Sequence, residues 1–195
     1  MQGKPQLILD VAGVLISNFS PLFWEEVVTF AEDYSAAELR RQFKEELRRQ
    51  LWTGAVPDTA FFSWITSHIP TVHAQEVERI LYFHLTPLPA MERLPQWSRS
   101  ADLHLLTNHR IEWIVPLLSP IQHYITSMTV SSETGYCKPD QRIYQCVREK
   151  LRMNGPILYV DDQQKNLTPG AALGWHTLLA DGAGCWMTRV EELLV

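Results

Sequence analysis

The chain has 195 residues, 46% of them hydrophobic and 20% charged, with a formal net charge of −5. That is enough chain for one ample domain or a core with a small insert, and the acidic balance argues against a general nucleic-acid binder. No apolar run approaches the length of a membrane span, and Cys137, Cys146 and Cys185 form an odd set without metal-ligand spacing, as expected of reduced thiols in the cytoplasm.

The opening Met-Gln-Gly-Lys-Pro leads straight into a strand and leaves no room for a signal peptide. Leu7, Ile8 and Leu9 make a short apolar run, the mark of a buried strand; Asp10 ends it, and Gly13 permits a sharp turn. A carboxylate at the end of a buried strand is costly unless something uses it, and ligands bind at the carboxyl ends of parallel strands. Asp10 is therefore the first candidate for chemistry, with a turn cap as the plain alternative. Ser20-Pro21 reads as an N-cap and a helix-starting proline, opening a helix to about Asp33 with Leu22, Phe23, Val27, Phe30 and Ala31 inward. Ser35 and Glu38 form a capping box. Leu39, Phe43, Leu47 and Leu51 follow at helical spacing, facing away from Arg40, Arg41, Lys44, Glu45 and Arg48, which read as a solvated face and not a phosphate clamp. Gly54 stops this helix. Asp58 opens a third, with Phe61, Phe62 and Ile65 as its apolar face and Pro70 beyond its end, and Val77, Ile80, Leu81 and His84 mark a fourth. Residues 17–86 are thus expected to be a helical insert without a strand. It holds 12 of the 20 aromatic residues, which a small bundle needs for a core; an apolar wall over an active site is the functional alternative.

From Pro87 the pattern changes. Pro87, Pro89 and Pro95 punctuate the return around a short helix at Met91 and Leu94. Strands are expected at Leu103–Leu106, Tyr124–Val130, Ile157–Val160 and His176–Leu179. Helices are expected over Ile111–Leu118, which Pro116 must bend or end, over Asp140–Arg152, closed by Asn154-Gly155, and up to Leu173 before Gly174. This alternation predicts an α/β fold, a doubly wound, mostly parallel sheet formed by residues 1–16 and 87–195.

Four polar features then fall at strand ends or in loops beside them: Asp10, Thr107-Asn108, Lys138 and Asp161-Asp162. Parallel strands bring their carboxyl ends to one edge, so the four can converge. They comprise a carboxylate nucleophile, hydrogen-bond donors, one cation and a pair of acids whose oxygen ligands suit Mg²⁺ and not zinc.

In this order and spacing the chain resembles the haloacid dehalogenase (HAD) superfamily over its full length. Asp10 matches the nucleophile motif, Thr107-Asn108 the second, Lys138-Pro139 the third, and Asp161-Asp162 with Asn166 the fourth. The runs Leu-Leu-Thr-Asn, Lys-Pro-Asp-Gln-Arg-Ile-Tyr and Val-Asp-Asp-Gln-Gln-Lys-Asn-Leu are similar to the N-terminal phosphatase domain of soluble epoxide hydrolases and to bacterial sugar-phosphate phosphatases. The resemblance implies a Rossmann-like core with residues 17–86 as an α-helical cap. It implies that Asp10 attacks phosphorus and becomes an aspartyl phosphate. Mg²⁺ is then held by Asp10, the backbone carbonyl of Ala12 and Asp162, with Asp161 assisting through water. Lys138 neutralises charge, Thr107 and the Asn108 amide bond the phosphoryl oxygens, Gly13 shapes the turn and Asn166 braces the metal loop.

One position departs from the family. Its phosphatases carry a second aspartate, two residues after the nucleophile, as acid and base; here that residue is Ala12. Such catalysis is worth ~10²–10⁴-fold, or about 3–5 kcal/mol. The expectation is a slowed Mg²⁺-dependent hydrolase of a small phosphorylated metabolite, monomeric or homodimeric. The alternatives are a degenerate member that binds a phosphorylated ligand or protein, or a phosphonatase-like C–P hydrolase. Phosphonoacetaldehyde hydrolases also have alanine here but use a cap lysine, and Lys44 is the single lysine of the insert. His109, next to Asn108, is a conceivable substitute acid, and Cys137, next to Lys138, a conceivable reactive thiol; each reads more simply as a bystander.

Overall fold

Gln6, Leu7, Ile8 and Leu9 form strand β1, and all four are buried. The computed structural model describes residues 3–18, 21–152 and 155–194; the expected N-cap Ser20 and the helix-closing Asn154 lie outside them. Strand β1 is buried because it is central. It pairs in parallel with β2 (Asp102–Thr107) on one side and β4 (Ile157–Asp161) on the other, placing Leu9 opposite both Leu105 and Val160. Strand β3 (Ile125–Val130) flanks β2, and β5 (His176–Leu179) flanks β4, so the order is β3-β2-β1-β4-β5, all parallel. The chain winds outward from β1 through β2 to β3, then returns to β4 and winds the other way. The crevice beyond the carboxyl ends of β1 and β4 lies at that reversal, where such sheets bind ligands.

Side-chain alternation divides the core between the two faces of the sheet. Leu7, Leu9, Leu105 and Val160 join one buried cluster, while Ile8, Leu106, Ile157 and Tyr159 join another. The second cluster is closed by Ile143, Tyr144 and Val147 of α9 (Gln141–Arg148) and Leu167 of α10 (Gln164–Ala172). The first is covered by α6 (Leu94–Ser100), α7 (Ile111–Leu118) and α11 (Cys185–Leu193), and it continues without a break into the helices that precede β2. Burying each such Leu or Phe stabilises the fold by roughly 1.5–3 kcal/mol.

Those preceding helices are α1 (Pro21–Val27), α2 (Ala36–Glu46), α3 (Arg48–Trp52), α4 (Thr59–His68) and α5 (Ala74–His84). Among the described residues between 17 and 86 no strand forms. Ser35 Oγ accepts a hydrogen bond from the Glu38 N–H at 3.1 Å, as expected of an N-cap, which typically stabilises by ~1 kcal/mol. Leu39, Phe43, Leu47 and Leu51 are buried, but an extended φ of −126° at Leu47 divides the expected single helix in two. The first helix is shorter than expected. It passes into a 3₁₀ turn at Val28–Phe30, so Phe23, Trp24 and Val27 point inward while Leu22 and Phe30 are exposed.

Pro116 lies inside α7 and does not end it. It lacks the N–H that would serve the Glu112 carbonyl; that oxygen instead accepts from the Tyr82 hydroxyl at 3.4 Å. The helix expected to reach Arg152 stops at Arg148, and α8 (Ser131–Thr134) and α11 were not foreseen. No helix among the described residues is long and apolar enough to cross a membrane.

Candidate active site

Asp10 follows the last residue of β1 and is buried. Its main-chain N–H donates to Val160 O at 2.9 Å, which ties the chain leaving β1 to the end of β4. Its Oδ1 accepts from the Val11 N–H at 2.7 Å, and its Oδ2 pairs with Lys138 Nζ at 2.8 Å. Burial pushes the Asp10 carboxyl above the ordinary range; Lys138 pulls it back, and Asp161 and Asp162 push it up again. One ammonium therefore does not balance the acids assembled here.

Lys138 lies in the loop before α9, ahead of a cis peptide to Pro139. Its Nζ also donates to Asp161 Oδ2 at 2.6 Å and to Leu106 O at 3.0 Å. Asp161 is buried at the end of β4 with both oxygens engaged. Oδ2 accepts from Lys138 and the Tyr159 hydroxyl, the latter at 2.6 Å, and Oδ1 accepts from the Gln163 N–H at 2.8 Å and Asn166 Nδ2 at 2.9 Å. Burial raises its pKa, but Lys138 and these hydrogen bonds outweigh burial and hold it below the usual carboxylate value.

Asp162 is half-buried and less committed. Its Oδ2 accepts from Asn18 Nδ2 at 2.9 Å and its Oδ1 from Gln163 Nε2 at 3.4 Å. Gly13 makes room for it. With φ at +86°, Gly13 occupies the left-handed region, and a β-carbon there would run into the Asp162 carboxylate and the Asn18 amide. One oxygen each from Asp10, Asp161 and Asp162 lie within 4.8 Å of one another, a donor set of hard oxygens that fits a Mg²⁺-sized cation. Three carboxyl groups around one ammonium, and the less committed Asp162, both favour such an occupant.

Asp10, Lys138 and Asp162 open on a cavity of about 560 Å³. Thr107 ends β2 and lines it; its Oγ1 is buried without a hydrogen-bond partner, the state of a donor held ready for a ligand. Asn108 also lines it, but its side chain is engaged. Oδ1 accepts from the Lys138 N–H at 2.7 Å, and Nδ2 donates to Lys138 O at 2.9 Å, which fixes the lysine loop against β2. Ala12 lines the same cavity. His109 is buried at the cavity edge among Trp52 and Trp113, with centroids at 5.4 and 5.8 Å and Nε2 unpartnered. Burial pushes its pKa down to about 4, so it is neutral at pH 7 and is not a proton donor there.

No family model matches the chain. A stretch of 61 residues is 36% identical to mouse acyl-CoA dehydrogenase family member 10, covering 31% of this chain and only 6% of that much longer protein. A HAD family enzyme of Bacteroides thetaiotaomicron superposes with a TM-score of 0.78 at 19% identity, covering 91% of this chain and 94% of the other. The same enzyme has been crystallised with magnesium and inorganic phosphate, both as wild type and as an aspartate-to-alanine variant. A HAD-like hydrolase of Porphyromonas gingivalis superposes with a TM-score of 0.76 at 16% identity, covering 100% and 98% of the two chains. The fold is that of the haloacid dehalogenase superfamily.

On this HAD fold, Asp10, Lys138, Asp161 and Asp162 form one contiguous set, and Thr107, Asn108, Ala12 and Asn166 share the cavity with Asp10, Lys138 and Asp162. Burial raises the Cys137 thiol's pKa, which removes it as a reactive neighbour of Lys138. One sequence expectation needs correction. Arg40, Lys44 and Arg48 are exposed, as a solvated face should be, but they line the cavity itself. Their spacing of four residues was visible in the sequence; the direction in which α2 faces was not. Asn18, Gln163 and Lys165 also line the cavity and carried no signal of their own. Buried Arg110 ties the segment before α7 to the helices that precede β2, donating to Leu51 O at 3.2 Å and Val56 O at 2.9 Å and pairing with Glu112 at 2.6 Å.

Proposed function

We propose that this protein is a Mg²⁺-dependent hydrolase of a small phosphate ester, with Asp10 as nucleophile and the helices of residues 17–86 acting as a cap. The observation that carries this reading is the convergence of Asp10, Lys138, Asp161 and Asp162 beside the unpartnered hydroxyl of Thr107. A carboxylate oxygen of Asp10 attacks phosphorus, the P–O bond to the leaving group breaks, and an aspartyl phosphate remains. The leaving oxygen takes its proton from water, because Ala12 has none to give. A second water then attacks the acyl phosphate, releasing inorganic phosphate and restoring Asp10. Thr107 Oγ1 and the Asn108 main-chain N–H donate to the phosphoryl oxygens, and Lys138 holds the nucleophile in place and offsets charge. Asp10, Asp162 and the Ala12 carbonyl hold Mg²⁺, while Asp161, its oxygens already accepting four hydrogen bonds, acts through water and Asn166 braces it. Bound Mg²⁺ lets an anionic nucleophile approach an anionic phosphate. The three free cysteines suit the reducing cytoplasm.

The test is phosphate release from p-nitrophenyl phosphate and a panel of phosphorylated metabolites, with and without Mg²⁺. Wild type is expected to turn over slowly, to require Mg²⁺, and to lose activity as Asp10→Asn. Ala12→Asp is expected to gain ~10²-fold or more by restoring an acid–base group. Slow breakdown of the aspartyl phosphate predicts a mass gain of one HPO₃ on the intact protein during turnover. Silence from both wild type and Ala12→Asp overturns the reading.

The position of Lys44 in the cavity favours a second reading, in which its amine forms a Schiff base with an aldehyde substrate before C–P cleavage. Borohydride trapping with phosphonoacetaldehyde decides it: no adduct at Lys44 removes this alternative.

A further inference from the structure

Arg40 and Lys44 lie four residues apart on α2, and Arg48 opens α3 just beyond the break at Leu47; their common place on the cavity wall makes them one stripe. All three line the cavity that holds Asp10 and Lys138. Arg41, one residue off the stripe, is neutralised by Glu38 and Glu45, each at 2.7 Å. The stripe has no such partners: among the described residues Arg40, Lys44 and Arg48 make no ion pair. Lys165, from α10, adds a fourth cation to the lining, also without an ion pair among the described residues. The acids that line the cavity are Asp10 and Asp162, and Asp10 is already paired with Lys138.

A transferring phosphoryl group carries about two negative charges; at the Asp10 end the Thr107 hydroxyl and the Lys138 charge already line the cavity for it. Four further cations on one cavity repel one another and gain little from water alone unless an anion sits among them. Two are guanidinium groups, whose forked donors match the oxygens of a phosphate or carboxylate.

We propose that the substrate is a phosphate ester bearing a second anionic group, phosphate or carboxylate, and that Arg40, Lys44 and Arg48 bind that second group. The proposal rests on the phosphoester reading only for what occupies the Asp10 end. It makes the insert a selector for doubly anionic molecules over neutral sugar or alkyl monophosphates.

The experiment compares α,ω-alkanediol bisphosphates of graded length, ω-phosphooxy carboxylates of the same lengths, and the plain alkyl monophosphates. Affinity is read in Mg²⁺ as KM and, independently of turnover, as quenching of tryptophan fluorescence, since Trp24 and Trp52 line the cavity. Wild type is expected to bind at least one doubly anionic length about 10-fold more tightly than its monophosphate, with a preference that shrinks as salt rises. The preference is expected to vanish in Arg40→Gln/Lys44→Gln/Arg48→Gln and to persist in Arg40→Lys/Arg48→Lys. A preference on one arm alone identifies the second group as phosphate or carboxylate. No preference at any length, or one that survives the glutamine variant, overturns the proposal. If the preference holds but no ester is hydrolysed, the hydrolase reading fails and the anion clamp stands. If esters are hydrolysed without preference, only the clamp fails.

Discussion

Lys138 Nζ lies 2.8 Å from Asp10 Oδ2 and 2.6 Å from Asp161 Oδ2, so one buried ammonium holds the ends of β1 and β4 together. Burial alone would lower the Lys138 pKa; the two carboxylates outweigh it and raise it. With Leu106 O as its third partner at 3.0 Å, the ammonium has no donor to spare.

Removing that charge is expected to be costly. Lys138→Ala leaves Asp10 and Asp161 buried side by side, and breaking a buried pair in this way typically destabilises by about 3–5 kcal/mol. Urea unfolding measures the loss. Added Mg²⁺ is expected to recover part of it in the variant, by supplying the positive charge that the lysine had supplied.

Thr107 predicts the opposite division of effects. Its buried Oγ1 has no partner among the described residues, so Thr107→Val removes an unsatisfied group and is expected to change stability by less than about 1 kcal/mol. Affinity for phosphate is expected to fall by about 1–2 kcal/mol, because a ligand oxygen loses its donor. Urea unfolding and inhibition by inorganic phosphate separate the two quantities.

Gly13→Ala is expected to damage the cation site through geometry alone. The backbone there has φ +86°, and the added methyl meets the Asp162 carboxylate. The strain is of order 1–3 kcal/mol. Isothermal titration with Mg²⁺ is expected to show weakened binding, and thermal unfolding a lowered Tm.

Acid is expected to destabilise the fold through two buried histidines. His104 hydrogen-bonds Gln6 Oε1 at 3.0 Å and Ser127 Oγ at 2.7 Å, and burial pushes its pKa down to about 4, as it does for His109. The unfolded chain protonates both near 6.5. Between these values the unfolded state binds more protons, so stability is full above about pH 6.5, falls as pH drops, and is wholly lost from this source below about pH 4. Each histidine accounts for about 1.5 kcal/mol between pH 6.5 and 5. The raised Asp10 carboxyl works in the opposite sense over the same window, so the difference in urea midpoints between wild type and His104→Gln, measured from pH 6.5 to 5, isolates the contribution of one histidine.

The parallel α/β core was legible in the sequence because buried strands and amphipathic helices leave periodic marks. Strand β5 runs over His176–Leu179 as expected, and helix α7 over Ile111–Leu118. Asp10, Thr107, Lys138 and Asp161 were legible for a related reason. Asp10, Thr107 and Asp161 sit at strand ends, which parallel pairing carries to one edge, while Lys138 lies in a loop that the Asn108 side chain fixes beside them. What the sequence by itself determined, then, was the sheet, its winding and the residues offered at its carboxyl edge. The tertiary structure alone decided how those residues share their bonds and what faces them. Asp161 is saturated while Asp162 is not, because Lys138, Tyr159, Gln163 and Asn166 reach the first and, among the described residues, only Asn18 and Gln163 the second. The stripe at Arg40, Lys44 and Arg48 has the same spacing on any helix. It lines the cavity because the break at Leu47 and the anchoring of Leu51 O and Val56 O by Arg110 set how that helix lies against the sheet. Periodicity fixes which side chains share a face; only long-range contacts fix what that face meets.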